Sequence, residues 1–180
     1  SPTDFALNSG AWQWQQFRSG LPAGTKGLNE TLASLWTGQT GVEIGGQRAD
    51  TALRVIGQQA YTSTLPAGWP TTNFARQLWT VAQSVRFNLG LRFATLDLGG
   101  WDTHFTQGSL NGIMPNLMKD LAEGLAAFHA DMADHMNKLT TVTMSEFGRR
   151  AYENGSLGTD HGHGSMMMVL GGNVDGGKVH

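Results

Sequence analysis

Two short apolar runs flank one long helical stripe in the second half of this chain, and that alternation constrains the fold more than any other feature. Leu91-Arg92-Phe93-Ala94-Thr95-Leu96-Asp97-Leu98 is too short for a helix and is stopped by Gly99-Gly100, so it is predicted as a strand. A helix is predicted from about Ser109 to Asn137. Leu110, Ile113, Met114, Leu117, Leu121, Leu125, Phe128, Met132 and Met136 form its apolar stripe. Pro115 is tolerated because it falls in the first turn, where N–H groups have no intrahelical partner. Leu139–Ser145 reads as the next strand. Met166-Met167-Met168-Val169-Leu170, bounded by Gly164 and Gly171-Gly172, reads as a third. Strand, helix, strand with short connections is a βαβ unit, so the first two strands are expected to be parallel. Near-continuous apolar strands imply a mainly parallel sheet covered by helices on both faces, an α/β architecture.

A further helix is predicted from Thr71 or Thr72, as cap, to about Leu89. Its apolar face is Phe74, Leu78, Val81, Ala82 and Val85, and Gly90 ends it. Residues 1–70 are richer in Gly, Gln, Thr and Trp. They are expected to form a helical and loop cover, with short helices over Leu28–Trp36 (Asn29 as cap) and Thr51–Ala60, and a loop over Tyr61–Thr72. Residues 71–180 are expected to carry the functional region of the same single domain. The chain starts at Ser1 without Met and stops at Lys178-Val179-His180, inside what reads as a strand, so a fragment of a longer polypeptide is expected.

Composition narrows the function classes. The net charge is -2 and charged residues make up 14%, which leaves no basic stripe for nucleic acid and no polybasic segment for anionic lipid. No apolar run approaches the ~20 residues of a membrane span. The absence of Cys excludes disulfides and thiolate metal sites.

Chemistry concentrates in three Gly-flanked segments: Gly99-Gly100-Trp101-Asp102-Thr103-His104, Ser145-Glu146-Phe147-Gly148-Arg149-Arg150, and Gly158-Thr159-Asp160-His161-Gly162-His163-Gly164. The first two follow predicted strands, and in open α/β sheets ligands bind at the carboxyl ends of strands. An extended D-x-H triplet points Asp102 and His104 the same way, because strand alternation has period two. Oxygen and imidazole donors together suit Zn²⁺, and also Mn²⁺ or Fe²⁺, with Ca²⁺ as a further possibility. The candidate metal ligands are Asp102, His104, Glu146, Asp160, His161 and His163. Glu146 reads alternatively as a general base or as the partner of Arg149 or Arg150. Arg149 reads as an anion clamp or as a carboxylate-paired side chain. His129 and His135 lie off the helical stripe and read as surface residues.

The segments Gly99–His104, Thr143–Arg149, Glu153–Ser156 and Gly158–Gly162, with Gly171-Gly172 and Gly176-Gly177, resemble the bacterial family called domain of unknown function 1501, over roughly residues 70 to 180. That family is similar in turn to the alkaline phosphatase superfamily, which includes sulfatases. The resemblance implies an alkaline-phosphatase-like fold with metals at the strand ends. It also implies a metal-dependent hydrolase of phosphate or sulfate esters, or a fragment of one. Asp102 and His104 stand where the superfamily has its Asp-x3-His pair, with a shorter spacing. Ser145-Glu146 stands where an Asp-His pair is expected, and His161 resembles the later His. No Ser or Thr nucleophile of the superfamily type is found. Export by the twin-arginine route, hence a periplasmic or cell-surface location, is a further implication. The expected substrate is a small anionic ester or a sulfated or phosphorylated glycan. The alternative is a non-catalytic exported envelope or carbohydrate-binding domain that keeps the fold and a structural metal.

Overall fold

The computed structural model describes residues 31 and 34–179. They form three α-helices, one 3-10 segment and four short strands. In chain order these are α1 (Gly41–Gly57), α2 (Asn73–Arg86), α3 (Ile113–Asp131), the 3-10 segment Ala133–Lys138, β1 (Thr140–Thr143), β2 (Gly148–Arg149), β3 (His161–Gly162) and β4 (Met168–Gly171). The chain divides into two compact units. One holds the described residues up to Ala67 together with Arg76–Leu96, and the other holds Gly68–Ala75 and the described residues from Asp97 onward. No helix among the described residues is long and apolar enough to cross a membrane.

In the first unit, α1 begins at a reciprocal cap. Thr40 Oγ1 accepts from the Glu43 N–H at 3.3 Å, while Glu43 accepts from the Thr40 N–H at 3.1 Å. The same carboxylate accepts from the Gly38 N–H at 3.0 Å. The Thr40 hydroxyl, donating to it, is the main reason its pKa is lowered. The helix expected over Thr51–Ala60 therefore starts ten residues earlier than read, with Gly41, Gly45 and Gly46 inside it. Glycine is a poor helix former, but at Gly46 a Cβ would lie 2.3 Å from the Trp36 ring, so glycine makes room for the indole. Most of the expected Leu28–Trp36 helix lies outside the described residues; Thr31, Ser34 and Leu35 are helical.

Helix α2 matches its sequence signal. Thr72 Oγ1 caps it by accepting from the Ala75 N–H at 3.2 Å and donates to Asp120 Oδ1 at 2.5 Å. Phe74, Leu78, Val81 and Ala82 are buried as expected, and Val85 is half-buried. The buried face is wider than the apolar stripe, because Thr80, Gln83 and Ser84 are also buried. Their polar atoms are satisfied. Thr80 and Ser84 donate to carbonyls one turn back, at 3.0 and 2.8 Å. Gln83 grips the backbone of Thr62 from both sides, accepting from its N–H at 2.9 Å and donating to its C=O at 3.0 Å. Trp79 Nε1 donates to the same carbonyl at 2.9 Å. The helix ends earlier than Gly90. Asn88 takes the left-handed conformation at φ 51°, and Leu89 N–H reaches back to Ser84 C=O at 3.3 Å, which is the Schellman closure with Asn in place of Gly.

The second unit departs more from expectation. Residues 91–98, predicted as a strand, are irregular, with Phe93 74% exposed. The long helix is shorter at both ends. It starts at Ile113, so Leu110 lies before it and is 89% exposed, and beyond Asp131 it tightens into the 3-10 segment. Leu125, Phe128 and Met132 are its buried stripe. His129, expected at the surface, is half-buried, and its Nε2 lies 3.2 Å from Thr141 Oγ1. Burial lowers its pKa, because desolvation disfavours the imidazolium.

β1 forms within the predicted Leu139–Ser145 run, β4 starts inside the predicted Met166–Leu170 run and ends one residue past it at Gly171, and the two pair antiparallel, Val142 opposite Val169. No parallel pair occurs among the described residues. Val142 and Val169 are each 46% exposed, while Thr141 and Leu170 are half-buried. The 3-10 segment ties to the end of β4 through the Gly172 N–H on Met136 C=O at 3.0 Å.

The Gln83 clamp gives a direct test. Gln83→Ala leaves the Thr62 N–H unpaired and is expected to lower stability by about 1–3 kcal/mol. Urea unfolding of variant and wild type measures it, and a change below about 0.5 kcal/mol removes the clamp from the account.

Candidate metal centre

The centre is assembled by backbone pairing. Strands β2 and β3 pair antiparallel, which sets Arg149 opposite His161 and Gly148 opposite Gly162. The ladder extends by Arg149 N–H to Gly164 C=O at 2.7 Å and Arg150 N–H to Asp160 C=O at 2.9 Å. Between the strands, Asn154 folds the loop. Its Oδ1 accepts from the Ser156 N–H at 2.9 Å and the Gly158 N–H at 3.1 Å, an Asx turn. The segment carrying Asp102 and His104 docks onto this loop. Thr159 N–H donates to Thr103 C=O at 3.2 Å, Thr106 N–H to Ser156 C=O at 2.9 Å, and Gln107 N–H to Leu157 C=O at 2.8 Å. Gln107 Oε1 then accepts from both Thr103 (2.9 Å) and Thr159 (2.7 Å) hydroxyls. At Gly158 the two backbones touch. A Cβ there would lie 2.2 Å from the His104 carbonyl carbon, so only glycine permits the approach.

Docking buries Thr103 and turns its neighbours outward. Asp102 is exposed and His104 half-buried, as the period-two reading of the triplet requires. Asp102 Oδ1 is the focus of the cluster. His161 Nε2 lies 2.7 Å from it, His104 Nε2 2.9 Å and Arg149 Nη2 3.4 Å. One ligand atom each from Asp102, His104 and His161 lies within 4.8 Å of the other two. The two imidazoles sit 5.0 Å apart at 32°. The His161 ring stacks on Phe147 at 4.2 Å and 11°.

The other sequence candidates take different places. Asp160 joins the assembly on the far side of His104: its Oδ1 lies 3.1 Å from His104 Nδ1 and accepts from Asn154 Nδ2 at 2.9 Å. Glu146 and His163 are exposed and lie outside the ligand group. Arg149 is drawn into the structure. Its Nη1 donates to Thr159 C=O, and its Nη2 to Trp101 C=O and to Asp102. Its guanidinium lies 4.9 Å from the Phe147 ring centroid, and its Nε is buried without a partner. Asn154 and Gln107, which hold the loops in register, were not singled out from their residue types. The Asn-Gly-Ser turn at 154–156 was the signal available for the first.

A two-imidazole, one-carboxylate set with three protein ligands and solvent access is the donor chemistry of a catalytic zinc site, and it also suits Fe²⁺ or Mn²⁺. An ionised carboxylate only accepts, so His104 Nδ1 donates to Asp160, and its Nε2 is left facing Asp102. Both carboxylates are held low in pKa: Asp102 chiefly by its hydrogen bond with His161, with the charges of His104, His161 and Arg149 adding, and Asp160 chiefly by Asn154 and then His104. Both are therefore ready as anions at neutral pH.

A family model described as a protein of unknown function (DUF1501) matches residues 47–180, a span that contains the whole cluster. No curated protein and no solved structure matches the chain.

Two outcomes follow from this geometry. Gly158→Ala is expected to force the loops apart, lowering stability by about 1–3 kcal/mol in urea unfolding; a neutral result contradicts the backbone contact. The depressed carboxyls stabilise the folded state above their ordinary range near pH 4, and that contribution is lost as pH falls through their lowered values. The stability difference between wild type and Asp160→Asn is thus expected to be full at neutral pH and to shrink as pH falls through the lowered carboxyl range. A difference independent of pH counts against the ionised pair.

Proposed function

The chain belongs to the DUF1501 family, and on that premise we propose that it is a metal-dependent hydrolase of phosphate or sulfate esters, or part of one. The observation that carries this reading is the convergence of Asp102, His104 and His161 at an exposed position. These three residues would hold one divalent ion, Zn²⁺ first, with Mn²⁺, Fe²⁺ or Ca²⁺ as alternatives. A divalent ion there supplies Lewis-acid polarisation of an ester oxygen and activation of water near neutral pH. Asp102 contributes the hard anionic ligand. His104 and His161 contribute the imidazoles, the first held by Asp160 and the second against Phe147. Glu146, next to Phe147, is the proposed general base. Arg149 holds the two loops together, because its Nη atoms are engaged on carbonyls and Asp102.

The link to the alkaline phosphatase and sulfatase superfamily belongs to this proposal and rests on the motif resemblance. So does its parallel sheet, since the strands described here pair antiparallel. A small anionic ester or a sulfated or phosphorylated glycan is the substrate class, and a periplasmic or cell-surface location is part of the same reading.

One observation favours a second reading, a non-catalytic envelope or carbohydrate-binding domain with a structural metal. One hydroxyl in each of the three segments is already committed: Thr103 and Thr159 to Gln107, and Ser145 to Phe147 C=O at 2.6 Å.

Assay of aryl phosphate and aryl sulfate monoesters separates the two. The enzyme reading predicts hydrolysis that a chelator abolishes, Zn²⁺ or Mn²⁺ restores, and His161→Ala reduces to background in the full-length protein. Activity should fall on acidification, because the ligands must lose their protons to bind metal. Hydrolysis unchanged in His161→Ala contradicts the proposal.

A further inference from the structure

We infer that Asp160 is not a ligand of the centre but its positioning residue, and that Asn154 fixes it in place. This rests on the metal reading above and deepens it. Imidazole ligands of metal ions donate their second ring N–H to a carboxylate or carbonyl, which sets tautomer and ring direction. His104 has that arrangement: Nε2 faces Asp102, and Nδ1 faces Asp160 Oδ1 at 3.1 Å. Asn154 closes the unit. One amide nitrogen donates to Asp160 Oδ1 at 2.9 Å and to the His104 backbone carbonyl at 3.0 Å. The ring nitrogen and the main chain of one ligand are thereby referenced to a single side chain. That side chain is itself held by the Ser156 and Gly158 N–H groups.

The arrangement is local and over-determined. Asp160 immediately precedes β3, and its carbonyl accepts from the Arg150 N–H, so its backbone is part of the ladder that places His161. Asp160 and His161, adjacent in sequence, therefore act on two different ligands. His161 enters the donor set itself, and Asp160 aims the other imidazole into it. His161 takes its own orientation from stacking on Phe147. Of the two imidazoles, His104 is thus the one that Asp160 substitution should disturb.

The test is a cobalt(II) titration of the metal-free protein, read by its visible absorption, beside ¹⁵N imidazole NMR of the same samples without metal. Wild type is expected to bind one cobalt ion, and His104→Ala to lose the spectrum. Asp160→Ala should bind about 10- to 100-fold more weakly. Asp160→Asn should recover part of that loss, because its amide oxygen still accepts from Nδ1–H. In NMR, wild-type His104 should carry its proton on Nδ1, and Asp160→Ala should shift it toward Nε2. A purely structural role for Asp160 would move neither the tautomer nor the Asn rescue. If Asp160→Ala does not fold, Asn154→Ala carries the same two readouts. Wild-type binding with unchanged affinity and tautomer in these variants overturns the inference and leaves the metal reading intact. No cobalt binding by wild type overturns both.

Discussion

One guanidinium holds the candidate centre together. Arg149 lies opposite His161 in the β2–β3 pair, and its Nη atoms reach Thr159 C=O, Trp101 C=O and Asp102. It therefore spans the three segments that carry the sequence's metal-like residues, which are otherwise up to 59 positions apart. Charge-assisted hydrogen bonds are the strong ones, and two of these end on backbone carbonyls, so they fix main chain rather than a mobile side chain. The unpartnered buried Nε is a cost of about 1–3 kcal/mol that this placement carries. Lysine offers a single point charge and could not make the same three-way contact.

Around that anchor the three clustered side chains are supported unequally. Asp102 is an exposed carboxylate approached by two imidazoles and a guanidinium, which keeps it ionised. His104 is held through its second nitrogen by Asp160, while His161 leans on an aromatic ring. Phe147 contacts both His161 and Arg149, so one aromatic side chain links His161 to the anchor. The buried side is a hydrogen-bonded lattice of Thr103, Gln107, Thr159 and Asn154 that keeps the two loops in register.

Much of the site was legible because its chemistry is written in contiguous residues. Asp102-x-His104 alternates about a buried Thr103, and His161 follows from the Gly-rich run. Asp160 was recognised as part of the cluster, but residue type alone cannot tell a carboxylate that touches a metal from one that touches the far nitrogen of an imidazole. Helix α2 was legible from its stripe, though not its end, because Asn88 does at φ 51° what Gly90 was expected to do. Helix α1 was hidden by three glycines near its start, and its Thr40-x-x-Glu43 capping box was the better signal. The Leu91–Leu98 run shows the limit of pattern reading. Its apolar residues fit a strand, but a strand forms only where a partner completes its hydrogen bonds, and among the described residues none does. Pairing direction was likewise inferred from connectivity, whereas β1 pairs with the later β4 rather than with an earlier strand.

The central claim is that Asp102, His104 and His161 hold a metal. Elemental mass spectrometry of the protein purified without chelator, beside its His104→Ala/His161→Ala double variant, tests it most directly. About one equivalent of Zn, Mn, Fe or Ca is expected in the wild type and none in the variant. Equal metal content in the two, or none in either after supplying each ion, would contradict it.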